Sequence, residues 1–109
     1  MAREKFQTLT EQMFYILLCL QNECCGMDIM AQVGQMTDGR VATGPGTLYN
    51  LLESFLRSGM IAETKVEGRK RSYLITDAGR NALEDEYRRL LTLAEDYRRL
   101  TPEGGADHG

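Results

Sequence analysis

The sequence predicts a mainly α-helical fold with one small β-hairpin and a long C-terminal helix. Three observations predict it. Residues 45–59 begin with Pro45-Gly46-Thr47, carry an apolar stripe at helical spacing and stop at Gly59. Two short β-rich runs then flank Glu67-Gly68. After Thr76, an amphipathic 3.6-residue pattern continues to Leu100 without a Gly or Pro beyond its first turn.

Each element follows from local chemistry. Thr10 is a good N-cap, although Met13 rather than Glu stands three places later, so no capping box is expected. The helix it opens should reach about residue 22. Met13, Phe14, Ile16, Leu17, Leu18 and Leu20 make it apolar nearly all round, so it must be covered on most sides. Gly26 breaks the chain, and a second helix follows over 27–36 with Ile29, Val33 and Met36 at i, i+4 and i+7. Val41-Ala42 reads as a short strand. Pro45 opens the third helix at a position where its missing N–H costs nothing. Leu48, Leu51, Leu52, Phe55 and Leu56 form its expected buried stripe, and Gly59 is a natural helix terminator.

Residues 61–66 and 70–75 read as two strands of a hairpin. Glu-Gly is a weak two-residue turn pair, so a longer loop is open. Thr76 then caps a helix over 77–100, about 36 Å long at 1.5 Å per residue. The order helix, helix, short strand, helix, hairpin, helix is a winged helix-turn-helix over 8–76. It carries an added C-terminal helix over 77–100 and a flexible tail over 101–109.

On that last helix Leu83, Tyr87, Leu90, Ala94 and Tyr97 share a narrow arc, edged by Leu91, Leu93 and Leu100. Glu84, Asp85, Arg88, Glu95, Asp96 and Arg99 occupy the other side. A helix longer than a small core can cover needs a partner for such a stripe, and a two-fold mate is the simplest. Leu83, Tyr87, Leu90, Ala94 and Tyr97 are therefore the expected homodimer interface. The plain alternative is that the helix folds back on its own domain.

Composition narrows the function. A chain of 109 residues is one domain with an appendage. Its longest apolar run, 13–20, is far short of the ~20 residues that cross a bilayer, so no membrane partner is expected. Three cysteines, two of them the neighbours Cys24 and Cys25, do not make a disulfide framework. Reduced thiols in a cytoplasmic protein are the simpler reading, and a redox switch at Cys24/Cys25 is the alternative. The single histidine, His108, lies in the tail. No His/Cys/carboxylate set has metal spacing and no Gly-rich loop follows a strand, so neither an enzyme, a metal nor a cofactor is expected.

The net charge of -3 opposes a nucleic-acid partner, but its distribution does not. From Arg57 to Arg71 the bases are Arg57, Lys65, Arg69, Lys70 and Arg71, against Glu63 and Glu67. A cationic face on a mildly acidic body still attracts DNA locally.

These residues also resemble the PadR family of bacterial transcriptional regulators, in its short subtype with one C-terminal helix. The resemblance runs from about Leu9 to Leu100. It rests on Gly26-Met27-Asp28-Ile29, Gly46-Thr47-Leu48-Tyr49, Gly59-Met60-Ile61, Arg69-Lys70-Arg71-Ser72-Tyr73 and Thr76-Asp77-Ala78-Gly79. It implies a dimeric regulator, usually a repressor. Two departures are Met27, where the family often has Tyr, and Asn50, where it often has Pro. Members that sandwich flat drugs use a Trp on the last helix. This chain has no Trp, so that site does not carry over.

The expected partner is double-stranded DNA. Thr43, Thr47, Tyr49, Asn50 and Ser54 are the polar candidates on the third helix, with Asn50 suited to pair with adenine. Lys65, Arg69, Lys70 and Arg71 are the candidate phosphate contacts. A small hydrophobic or aromatic effector is a further candidate, in an apolar cleft near Phe14, Tyr15, Leu93 and Tyr97; the alternative there is a filled dimer core. A winged helix used only for protein contact is the rival to the whole DNA reading.

Overall fold

The computed structural model describes residues 8–102. The first seven residues and, of the expected flexible tail over 101–109, residues 103 onward with His108 lie outside them. Helices α1 (Glu11–Cys19), α2 (Gly26–Met36) and α3 (Pro45–Arg57) precede a hairpin of β2 (Ile61–Glu67) and β3 (Lys70–Ile75), and α4 (Asp77–Leu100) ends the fold. A two-residue strand β1 (Cys24–Cys25) adds to the hairpin, giving an antiparallel sheet of order β1-β3-β2. This is a winged helix-turn-helix with a long terminal helix.

The third strand was expected at Val41-Ala42, and the structure corrects this. The Val41 N–H donates to Thr37 Oγ1 at 3.1 Å, and the Ala42 carbonyl accepts from Gln12 Nε2 at 3.1 Å. Side chains therefore take the backbone groups a strand would need. Cys24 and Cys25 pair instead with Tyr73 and Ser72 of β3.

Two ends of α1 also differ from expectation. The Met13 N–H donates to Thr10 Oγ1 at 3.2 Å, and the Thr10 N–H meets Met13 Sδ at 3.3 Å. A thioether thus closes the box that a Glu would normally close. The helix stops at Cys19 rather than near residue 22, and the Leu20 carbonyl accepts from Ile75 N–H at 2.8 Å. That bond ties the end of α1 to the last residue of the wing.

The core gathers Ile16, Leu17 and Leu20 of the α1 segment, Ile29 and Val33 of α2, Leu48, Leu52 and Phe55 of α3, and Tyr73 and Ile75 of β3. Leu83 of α4 belongs to the same cluster, so it serves its own domain and not the dimer face expected for it. On α3 the inward stripe is Leu48, Leu52 and Phe55; Leu51 is half-buried and Leu56 exposed, because the 100° step carries both off the inner arc. The hairpin loop is only two residues, Gly68 and Arg69, with Gly68 at φ 63°.

The wing joins α4 at a crowded corner. The Thr76 N–H donates to the Met60 carbonyl at 3.0 Å, and Thr76 Oγ1 accepts from Gly79 N–H at 3.1 Å while donating to the Gly59 carbonyl at 2.6 Å. A Cβ on Gly79 would overlap the Met60 carbonyl oxygen and sit 2.7 Å from Ile75 Cγ1. Further along α4, the buried Glu86 carboxylate accepts from Leu9 N–H at 3.0 Å and from the Arg89 guanidinium. The Arg89 bonds hold this carboxyl below the usual glutamate range against the opposing effect of burial, and the Leu9 amide adds to them.

Two outcomes follow. Gly79→Ala is expected to destabilise the fold by about 3 kcal/mol, the upper end for overpacking, as read by urea denaturation; a change near zero would show that the corner can relax. Because Glu86 titrates lower folded than unfolded, its contribution is complete above the unfolded carboxyl range and is lost as pH falls through the folded value. Glu86→Gln should therefore lower Tm at pH 7 and flatten the fall of Tm at acid pH; parallel wild-type and variant curves would refute this.

Candidate nucleic-acid interface

Helix α3 separates two chemistries by its periodicity. Leu48, Leu52 and Phe55 are buried, while Thr47, Asn50, Glu53 and Arg57 are exposed on the other side. Ser54 is half-buried between them. Gly44 caps the helix without a side-chain hydrogen bond, so the first amides of α3 keep their donors for an outside acceptor. Thr43 does not join this surface. It is buried, and its hydroxyl has no partner among the described residues. A side chain buried in the chain itself cannot present its hydroxyl to a duplex, so its expected part in binding is corrected.

Tyr49 lies across the boundary. It is 44% exposed, yet its ring fills the space that Gly26 leaves open. A Cβ on Gly26 would meet the Tyr49 hydroxyl at 2.9 Å. The ring thereby braces α3 against the start of α2.

The wing brings the cations alongside. Lys65, Arg69, Lys70 and Arg71 are all exposed. Arg71 pairs across the strands with Glu63 at 3.2 Å, an exposed pair of small energetic weight. Among the described residues, Lys65, Arg69 and Lys70 make no ion pair. A groove of about 400 Å³ runs between α3 and the hairpin, with Tyr49, Glu53 and Leu56 on one side and Arg69, Lys70 and Arg71 on the other. Helix face and cationic tip are therefore one continuous surface. Sequence reasoning missed Glu53, Leu56 and Gly26 here; the helical spacing of Glu53 from Asn50 was the available signal.

The residues named for an effector are not gathered within one chain. Phe14 lines a cleft of about 310 Å³ between α1 and α4, with Leu18, Leu83 and Tyr87. Tyr15 stacks edge-on to Phe14, with ring centroids 5.6 Å apart, and carries the Arg40 guanidinium over its own ring. Leu93 and Tyr97 lie beyond that cleft on the outer half of α4, 50% and 60% exposed. Tyr87, Leu90, Leu91, Ala94 and Leu100 are exposed on the same helix. The molecule spans 56 × 37 × 22 Å.

The three cysteines are buried and form no disulfide among the described residues. Cys24 faces the core and Cys25 the wing groove, the alternation expected of a strand. Burial pushes the Cys24 thiol up to about 12 and raises Cys19 as well. No described helix is long and apolar enough to cross a membrane, and no group of three or more His, Cys, Asp or Glu among the described residues could hold a metal ion.

Comparison with known proteins agrees with this geometry. The description of the transcriptional regulator PadR-like family matches residues 16–85. No curated protein sequence matches the chain. A transcriptional regulator from Clostridium thermocellum shares the fold with a TM-score of 0.71 at 20% identity, over 81% of this chain and 90% of its own. A PadR family transcriptional regulator from Eggerthella lenta gives 0.68 at 20% identity, over 80% and 78%. Bacillus subtilis PadR, solved in complex with operator DNA, gives 0.58 at 25% identity, over 66% of this chain and 44% of its own. With more than half of its length matched by the family description, the chain belongs to the PadR-like family of transcriptional regulators, not to an enzyme family.

Proposed function

We propose that this protein is a DNA-binding repressor that acts as a homodimer on an inverted-repeat operator. The observation that carries the reading is the single surface made by the exposed side of α3 and the wing cations, joined across one groove. Thr47 and Asn50 stand on its helical side, and Asn50 is the residue proposed to read adenine. Lys65, Arg69 and Lys70 supply sequence-independent attraction to phosphates. Bacillus subtilis PadR, similar in fold and solved in complex with operator DNA, supports a DNA partner for this chain.

Dimerisation is proposed through the outer half of α4, where Leu90, Leu93, Ala94 and Tyr97 are exposed among the described residues. Two copies joined there would present two α3 helices, so half-sites are expected about one helical turn apart or a multiple of it. A small hydrophobic ligand seated against Phe14, in the cleft between α1 and α4, is the proposed inducer.

Two measurements test this reading. Arg69→Ala with Lys70→Ala should weaken binding on all duplexes alike and reduce the salt slope by about one unit per lost contact. An unchanged slope in fluorescence anisotropy would contradict it. Leu93→Glu with Tyr97→Glu should give a folded monomer by sedimentation. That monomer should bind the full operator about tenfold or more weakly, yet keep half-site recognition. A dimer that survives both changes would remove α4 as the interface.

A further inference from the structure

Two thiols outside the DNA surface share one amide. Cys19 Sγ donates to Gln32 Oε1 at 3.5 Å, and Gln32 Nε2 donates to Cys24 Sγ at 3.5 Å. Cys19 ends α1 and Cys24 opens β1, so the short connection between them brings their sulfurs to the same side chain. Both cysteines are over 90% buried, while Gln32 is exposed on α2 and forms the lid above them. Cys25, the neighbour in sequence, turns to the opposite face and lines the wing groove. The pair assembled by the fold is thus Cys19 and Cys24, not Cys24 and Cys25.

We propose that Cys19 and Cys24 form a two-coordinate site for a soft d10 cation, copper(I) or silver(I). The chemistry selects that class. Zinc and iron sites need three or four protein donors, and the described residues offer this pair no third His, Cys, Asp or Glu. Two thiol sulfurs, whose other polar neighbours are only the neutral Gln32 amide and the Cys25 carbonyl, suit a thiophilic ion that accepts a linear geometry. On binding, each thiol loses its proton to solvent and the ion gains two metal–sulfur bonds, leaving a bis-thiolate complex of charge −1. The Gln32 amide N–H can then donate to a thiolate, a stronger hydrogen bond than it makes to a thiol.

The position also gives the ion leverage. Cys24 pairs with Tyr73 of β3, and β3 carries Lys70 and Arg71. An ion bridging Cys24 to Cys19 would fasten β1, the strand that borders β3, to the end of α1.

The test is an anaerobic silver(I) titration of the reduced full-length protein, followed by native mass spectrometry and thermal unfolding. Wild type and Cys25→Ser should each retain one ion per chain, and Cys19→Ser and Cys24→Ser should lose it. One equivalent of silver(I) should raise the wild-type Tm, because an ion held by the folded pair stabilises the native state. A fall in Tm would overturn the proposal, since it would mean that the ion captures thiols exposed by unfolding. Retention of the ion in Cys24→Ser, or a requirement for Cys25, would overturn it equally. The wild-type melting result stands even if a serine variant folds poorly.

Discussion

The Met60 carbonyl sets the geometry of this molecule. It accepts the Thr76 amide, and the missing side chain of Gly79 lets the first turn of α4 press against it. Three elements meet there: the exit of α3, the start of β2 and the start of α4. The Ile75 amide is tied at the same time to the Leu20 carbonyl at the end of α1. The direction in which α4 leaves the domain is therefore fixed relative to both the wing and α1. In the proposed dimer this corner sets the spacing between the two DNA-facing surfaces. A change at Gly79 would act on operator spacing as well as on stability.

Electrostatics explains how an acidic chain can present a nucleic-acid surface. Charges separated by more than about 8 Å are largely screened at physiological salt, so the net charge of -3 matters less than the neighbours of each phosphate. Around the hairpin tip Lys65, Arg69, Lys70 and Arg71 outnumber the acids, Glu67 opposite Lys70 and Glu63 engaged by Arg71. On α4 the Arg residues are matched by acids at helical spacing: Arg88 with Glu84, Arg89 with Glu86, Arg99 with Asp96. Much of the basic charge of that helix is thus paired locally, while the wing tip retains its own. Glu53, beside those cations in the groove, is a carboxylate on an otherwise phosphate-seeking surface. In the proposed complex such a group would repel a misplaced phosphate and accept from a donor such as a cytosine amino group.

The parts of the fold governed by periodicity were legible in the sequence. The α3 stripe, the two wing strands and the extent of α4 each repeat a pattern over several residues, so one ambiguous position does not hide them. What was not legible depended on single contacts between distant segments. A two-residue strand has no period, and β1 exists only because β3 offers it an edge. Thr43 looked like a surface hydroxyl because its type is polar, but the turn before α3 buries it. Leu83 shares an arc with Leu90 and Tyr97, yet α1 reaches only the first turns of α4 and claims Leu83 for the core. The pairing of Cys19 with Cys24 through Gln32 needed the relative placement of α1, β1 and α2.

Where α1 stops covering α4 also bears on oligomeric state. Beyond Leu83 the large apolar side chains Tyr87, Leu90, Leu91, Leu93, Tyr97 and Leu100 are all exposed. Fully burying one such side chain is worth about 2 kcal/mol, and a symmetric pair would cover the stripe on both copies. Association costs several kcal/mol in lost translation and rotation, with further losses from ordered side chains. A few well-buried contacts per copy therefore suffice to favour the pair, whereas the same residues left in water contribute nothing to the monomer. The Phe14 cleft lies where the covered and uncovered parts of α4 meet, with Tyr87 on its wall. A ligand there would compete with, or extend, the packing that a second copy supplies. In the proposed dimer, occupancy of that cleft would bias the angle between the two α4 helices, which would give the proposed inducer a route to the DNA surface without touching it.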